Sequence, residues 1–339
     1  MNGILLVDKA MDLTSHDVVS RARKLLGTRA IGHAGTLDPM ASGLLILLVG
    51  EGTKLSDYLL TGDKGYEVSV RLGVRTDSMD ITGLVQEQKP VELTEDMVKA
   101  AALAASGTLS LAVPAHSAVK VNGKKLYESA HKGEVPPEIP VRDMTFYSVE
   151  WLGMTTAPSI QKMEKHIDRD TRDESTSVRT IAAAPQFTVR IRCSKGSFIR
   201  AWANHVGEQL GVGGTVTMLR RIESAPYKIE EAKTLDQLAK DLKESGGRPG
   251  SLEPTAFGSA WVPLADALPH FDRIEIEGFD AKLLRNGQIS KDVQAELLRR
   301  IQLGETPKPM RVIHREERRL LALLMATPGE FYKIRRVFQ

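Results

Sequence analysis

A single cysteine, Cys193, stands in a chain of 339 residues. One thiol excludes an intrachain disulfide framework and any cysteine-rich zinc site. The 8 histidines are scattered without HExxH-like spacing, so no metal is expected. No apolar run approaches the length that spans a bilayer. The opening MNGILLVDKAMD sets a short apolar run against an early acid, where a secretory leader has a basic region and a long apolar core. A cytoplasmic protein without membrane contact is therefore expected. The Gly-Lys-Ser/Thr ending of a phosphate-binding loop is missing from both glycine-rich candidates, residues 32–45 and 50–54, and no cofactor is expected.

What is present is an ordinary folding composition, 42% hydrophobic and 26% charged, over a length that suits about two domains. The net charge of +3 permits a polyanionic partner without demanding one. The most informative stretch is GHAGTLDPMASGLL, Gly32 to Leu45, which joins a turn-rich half to an apolar run, Leu44 to Val49. Pro39 holds Asp38 to an extended backbone and cannot donate an N–H, while Gly32, Gly35 and Gly43 permit turns around it. Such a loop presents a carboxylate in a fixed pose. Taken alone, the dipeptide also fits a plain Asp-Pro turn.

Along the chain, Ile4 to Val7 reads as a short buried strand, and Ser15 as the cap of a helix with Val18, Val19, Ala22, Leu25 and Leu26 on its apolar face. Its outer Arg21, Arg23 and Lys24 suit either a solvated face or phosphate contact. In YEVSVRLGV, alternation places Tyr66, Val68, Val70 and Leu72 on one face of a strand. Thr94 fits a second helix cap. Residues 153–184 are polar and without sustained periodicity, and are expected to form an insertion or mobile loop. FTVRIRC alternates as a strand, and Ser197 fits the cap of a helix with Ile199, Trp202, Ala203, Val206 and Leu210 on its stripe. The Gly-, Ser- and Pro-rich run 244–260 reads as a linker between a domain at 1–243 and a small module at 261–339, with a helix through Val293, Leu297 and Ile301.

The Asp38 loop closely resembles the GH(T/A)G(T/A)LDP(L/M)A(T/S)G motif of the TruB-type tRNA pseudouridine synthases, in which the Asp is essential. Further segments follow in family order: Tyr66 in YEVSVRLGV, the run RTDSMDITG, the segment VPAHSAVKVNGKKLYESA, then CSKGSFIR and GGTVTMLRR. The resemblance implies an α+β pseudouridine synthase fold, with a mixed, mainly antiparallel central sheet flanked by helices. For 261–339 it implies, on LRNG and length, a β-rich PUA-like RNA-binding module. It makes Asp38 and Arg200 catalytic, Tyr66 and Leu219 the walls of a base pocket, and Phe198 part of that pocket. His33, Lys54 and Asp80 become candidates for substrate contact, and Lys9, Lys120, Lys124 and Lys125 for the RNA backbone. Without it, Tyr66 reads as core, Arg200 as a surface arginine and His33 as a loop histidine.

Four positions depart from the family pattern: Ala10 and Asp12 within its Lys-Pro-x-Gly turn, Phe198 for a common tyrosine, and His205 for a common aspartate. The implied reaction breaks the C1′–N1 bond of a uridine and joins C1′ to C5 of the same base. It demands no redox change, phosphate donor or metal. Asp38 fits either a nucleophile at C1′ or a base at C2′, and in both roles it must be ionised, a form that a nearby arginine favours. The implied substrate is the T-arm loop of tRNA at U55, bound by a monomer without an obligate protein partner. Two alternatives stand beside this: a guide-RNA-dependent relative, and a silent structured-RNA binder or tRNA chaperone.

Overall fold

The computed structural model describes residues 1–121, 123–127, 139–167, 174–246, 254–302, 308–326 and 332–339. Asn122 and the end of VPAHSAVKVNGKKLYESA, the centre of 153–184 and residues 247–253 of the linker lie outside them. The chain divides into two compact units, one of Met1–Pro39, Gly43–Gly62 and Ser224–Gln339, the other of Met40–Ser42 and Asp63–Glu223.

In the first unit the apolar run Ser42–Val49 is a strand buried almost throughout, because neighbours cover both its faces. It pairs antiparallel with Gly3–Lys9 and with Ile31–Ala34, and Gly3–Lys9 pairs in turn with Trp261–Pro263. The helix Ser15–Leu26 begins one residue earlier than expected. Thr14 is its cap, in a capping box with Asp17, and Gly27 ends it at φ 64°. Ser15 is buried and its hydroxyl is used elsewhere.

Residues 261–339 form a four-stranded sheet of Asp272–Ile276, Met310–His314, Arg319–Ala326 and Tyr332–Val337, with the first pair parallel and the others antiparallel. The expected helix is present as Lys291–Gln302, burying Val293 and Leu297. This β-rich module has its own core around Ile274, Leu284, Val312 and Leu324. A second apolar cluster joins its Leu320, Leu323 and Phe338 to Ile4, Leu6, Leu44 and Ile46. Residues 254–260 form a short 3-10 segment.

The second unit is built on a sheet in the order Gly214–Ser224, Lys64–Leu72, Ala184–Cys193, Val141–Ala157, Gly107–Ala112, antiparallel from Lys64–Leu72 to Gly107–Ala112. Thr94 caps the helix Glu95–Ala104 as expected. The helix Ile199–Gln209 buries Trp202, whose ring meets Phe146 and Phe187 of the sheet. Its cap is Phe198, with no side-chain bond. Ser197 instead pairs its hydroxyl with that of Ser194. Gly207 lets this helix sit against the strand beginning at Gly214, since a Cβ there would lie 2.1 Å from the Gly214 nitrogen.

Where it is described, the 153–184 segment is mostly strand and not the loop expected. It completes the strand Val141–Ala157, forms a two-stranded ribbon of Ile160–Ile167 and Glu174–Ile181, and opens the strand Ala184–Cys193. No apolar alternation announced the ribbon because its outer face is exposed, with Met163 and Val178 opposite each other in the open. Among the described residues no helix is long and apolar enough to cross a membrane.

Candidate active site

Asp38 is half-buried, and the residues on both sides of it are tied to the turn between the first strand and the first helix. The Ser15 hydroxyl accepts from Leu37 N at 2.9 Å and donates to Leu37 O at 3.2 Å. On the other flank, Pro39 O accepts from Asp12 N at 2.9 Å and from Lys9 Nζ at 3.3 Å. Leu37 and Met40 are buried and anchor the loop by their apolar side chains. Four hydrogen bonds on two neighbouring residues leave the Asp38 backbone little freedom.

Two of these partners differ from expectation. Lys9 is not placed for a phosphate. It is 1% exposed, and its ammonium also donates to Ala10 O at 3.0 Å and Leu13 O at 2.7 Å, so converging carbonyls compensate its burial. Asp12, which stands where the family has a glycine, adopts φ 63°. Aspartate tolerates this left-handed conformation better than most residues, so the turn survives the departure.

In the other unit Arg200 is 4% exposed, one residue into its helix. Its guanidinium donates to Ser78 O at 2.8 Å, His116 O at 2.9 Å and Asp80 Oδ2 at 3.4 Å. Asp80 was expected to meet RNA. It is 4% exposed and works instead as the counter-charge of Arg200. Its other oxygen accepts from Ser78 Oγ and Thr82 N, both at 2.9 Å, and from Thr82 Oγ1. Thr76 Oγ1 donates to Asp80 O at 2.7 Å, closing the loop on itself.

Met79 takes φ 63° within this loop, which Ile81 N and Met79 O tie to Val216 at 2.9 and 3.2 Å. Burial alone would raise the Asp77 carboxyl, but hydrogen bonds from His116, Leu84 N and Ser78 N outweigh it and hold the group below its usual value. Sequence reasoning missed Ser78, Thr82 and His116. The alternation of Asp, Ser and Thr from 77 to 82 was the available signal of a self-bonded loop.

Tyr66 lies opposite Ile191 and Lys64 opposite Cys193, so these four side chains share a face of the sheet. Phe187 and Phe146 lie on that face and touch Trp202, so it is the face that the Arg200 helix covers. Tyr66 is 9% exposed, Leu219 is buried on Gly214–Ser224, and Phe198 is half-buried beside the helix start. Burial depresses the Lys64 ammonium to about 8, with Arg221 adding to the effect, and pushes the Cys193 thiol up to about 12.

The remaining candidates are dispersed. His33 is half-buried on Ile31–Ala34, opposite Leu47. Lys54 donates to Val337 O at 2.8 Å, pairs with Glu51 and lies over the Phe338 ring, so it holds the carboxyl-terminal strand. Lys120 and Lys124 are exposed on a small hairpin where phosphates can reach them, and Lys125 packs over Tyr127. His205 is half-buried, and nothing in the structure explains it. Among the described residues no three His, Cys, Asp or Glu side chains gather as a cation site requires.

Comparison with known proteins matches residues 23–199 to the TruB family pseudouridylate synthase N-terminal domain and residues 200–251 to the tRNA pseudouridylate synthase B C-terminal domain. A protein of Bdellovibrio bacteriovorus named tRNA pseudouridine synthase B is 42% identical over all of this chain and 97% of its own length. One of the same name from Aromatoleum aromaticum is 39% identical over 85% of this chain and 81% of its own. Among solved structures, a Cbf5-Nop10-Gar1 complex superposes with a TM-score of 0.65 at 22% identity, covering 99% of this chain and 85% of the other, which shows the fold. By the first match and these identities, the chain belongs to the TruB family of pseudouridylate synthases.

Proposed function

We propose that this enzyme isomerises uridine to pseudouridine in tRNA, at U55 of the T-arm loop, acting as a monomer in the cytoplasm without guide RNA, cofactor or protein partner. The observation that supports this most is the Asp38 loop, whose carboxylate stands on a backbone pinned at Leu37 and Pro39. A preorganised carboxylate suits the oxocarbenium-like state formed at C1′ when the glycosidic bond breaks. The C1′–N1 bond breaks, the base turns, the C1′–C5 bond forms, C5 loses its proton and N1 gains one. No electron leaves the nucleotide.

In this reading Arg200 serves the reaction beside Asp38 as the second catalytic residue, and its guanidinium is held by Ser78, Asp80 and His116. Flipping the uridine costs about a few kcal/mol. Stacking on Tyr66 returns about 1–3 kcal/mol, and Leu219 and Phe198 supply apolar surface. His33 holds the flipped RNA, and Lys120, Lys124 and Lys125 meet its phosphates.

The relatives named tRNA pseudouridine synthase B reach 42% identity against 22% for the Cbf5 complex, which favours the stand-alone reading. The test is nucleoside analysis of an unmodified tRNA transcript after incubation with the protein alone. Pseudouridine at U55 with multiple turnovers is expected. An unmodified transcript that is nevertheless tightly bound would refute the proposal in favour of a silent binder or a guide-dependent enzyme.

A further inference from the structure

The ribbon of Ile160–Ile167 and Glu174–Ile181 has no part in the reaction as described. A two-stranded ribbon is marginal in water by itself, so what fastens it matters. At its base, Arg71 is 2% exposed and donates to Pro158 O at 2.9 Å and to Ala182 O, the two points where the ribbon leaves and rejoins the sheet. Ile160 and Ile181 pack with Val74, Ile81 and Val85 of the neighbouring hairpin, Val74–Thr76 and Val85–Gln88. Gln88 bonds Thr180 O at 3.2 Å.

Midway along sits Glu164, 2% exposed. Its carboxylate accepts from Val85 N at 2.9 Å and pairs with Arg179 at 3.6 Å and Lys162 at 3.9 Å. Arg179 donates to Val85 O at 2.7 Å, and Lys162 donates to Gly83 O. Three charged side chains thus converge on Gly83 and Val85. A buried carboxylate costs several kcal/mol unless its geometry is well compensated, and removing one member leaves the others uncompensated. The place they grip is the carboxyl-terminal root of the loop that presents Ser78 O and Asp80 to Arg200. That loop contains Met79 at φ 63°, a conformation that persists only where the surroundings enforce it.

We infer that the ribbon is a brace for the active site: through Lys162, Glu164 and Arg179 it fixes the 77–85 loop and so sets the position of Arg200. Glu164 is a positioning residue, and this rests on Arg200 having the role given above. The ribbon's effect is on the rate of the bound complex, and RNA affinity is independent of it.

The experiment compares wild type, Glu164→Gln and Glu164→Ala for single-turnover rate on saturating tRNA, for tRNA affinity, and for amide exchange in 77–85. Glu164→Ala is expected to lower the rate about 10- to 100-fold, as a small misplacement of a catalytic group does. Affinity should stay within about 2-fold, a change of about 0.4 kcal/mol, and exchange at Leu84 and Val85 should quicken. Glu164→Gln keeps the acceptor for Val85 N and should fall between. If neither variant folds, Lys162→Met, which leaves the carboxylate and Arg179 in place, provides the same comparison. An unchanged rate in a folded variant, or a loss confined to affinity, overturns the brace. Unchanged exchange in 77–85 overturns it whether or not the wild type is active. An inactive wild type whose loop nevertheless loosens on substitution refutes the catalytic role of Arg200 and with it the brace's purpose.

Discussion

The Ser15 hydroxyl and the Leu37 backbone exchange two hydrogen bonds, at 2.9 and 3.2 Å, across 22 residues of chain. This joins the first turn of the first helix to the residue before Asp38. A serine that would cap the helix by sequence is thereby diverted to the loop, and Thr14 caps in its stead.

Ser15→Ala therefore leaves both Leu37 groups without their buried partner, at about 1–3 kcal/mol. The expected outcome is a melting temperature several degrees lower and a single-turnover rate reduced more than tRNA affinity. Thermal melts and rapid-quench kinetics on the same preparation check it. A variant with full rate would show that Leu37 is held by other means.

Asp12 at φ 63° supports the second flank of Asp38 through its N–H to Pro39 O. Asp12→Gly should be neutral or stabilising, since glycine reaches this conformation freely, while Asp12→Val should cost about 1–2 kcal/mol. Chemical denaturation of the two variants distinguishes them. Equal stability would mean that the turn relaxes to another backbone shape.

Arg200 and Asp80 form a buried pair at 3.4 Å, with both side chains almost fully enclosed. Asp80→Ala breaks this buried pair from one side, and the expected loss of stability is about 3–5 kcal/mol. Asp80→Asn should retain the loop through Thr82 but lower the rate. Unfolding curves and single-turnover rates test the two separately.

Lys64 is 7% exposed, and burial, with Arg221 beside it, lowers its ammonium from 10.5 to about 8. Between those values the unfolded chain holds the proton that the folded chain has lost. Stability from this group therefore rises with pH from about 8 toward 10.5, and its cost is greatest below 8. Lys64→Met should stabilise the protein near neutral pH by up to about 3 kcal/mol, and the advantage should shrink as pH rises. Denaturation of both proteins at pH 7 and pH 10 measures it, and an advantage that grows with pH would contradict the assignment.

The parts of the fold that were legible in the sequence are those where a local pattern and the tertiary environment agree. Leu44 to Val49 is an uninterrupted apolar strand, Thr94 caps its helix, and the glycines and proline around Asp38 make the loop that they imply. Lys9 misled because a lysine carries surface charge in most settings, and only the convergence of the Ala10, Leu13 and Pro39 carbonyls permits its burial. Asp80 misled for the related reason that its partner, Arg200, is 120 residues away. The ribbon was invisible because what holds it is charge against backbone at Glu164, Lys162 and Arg179, for which no hydrophobic period exists.

The central claim rests on Asp38, and the measurement that tests it most directly is tritium release from a T-arm stem-loop whose uridine is tritiated at C5. Wild type and Asp38→Asn are compared with no added cofactor, each after its RNA affinity is measured. The expected result is release with multiple turnovers by wild type and none by Asp38→Asn, at similar affinity for the stem-loop. Release by Asp38→Asn at a rate near that of wild type would contradict the claim.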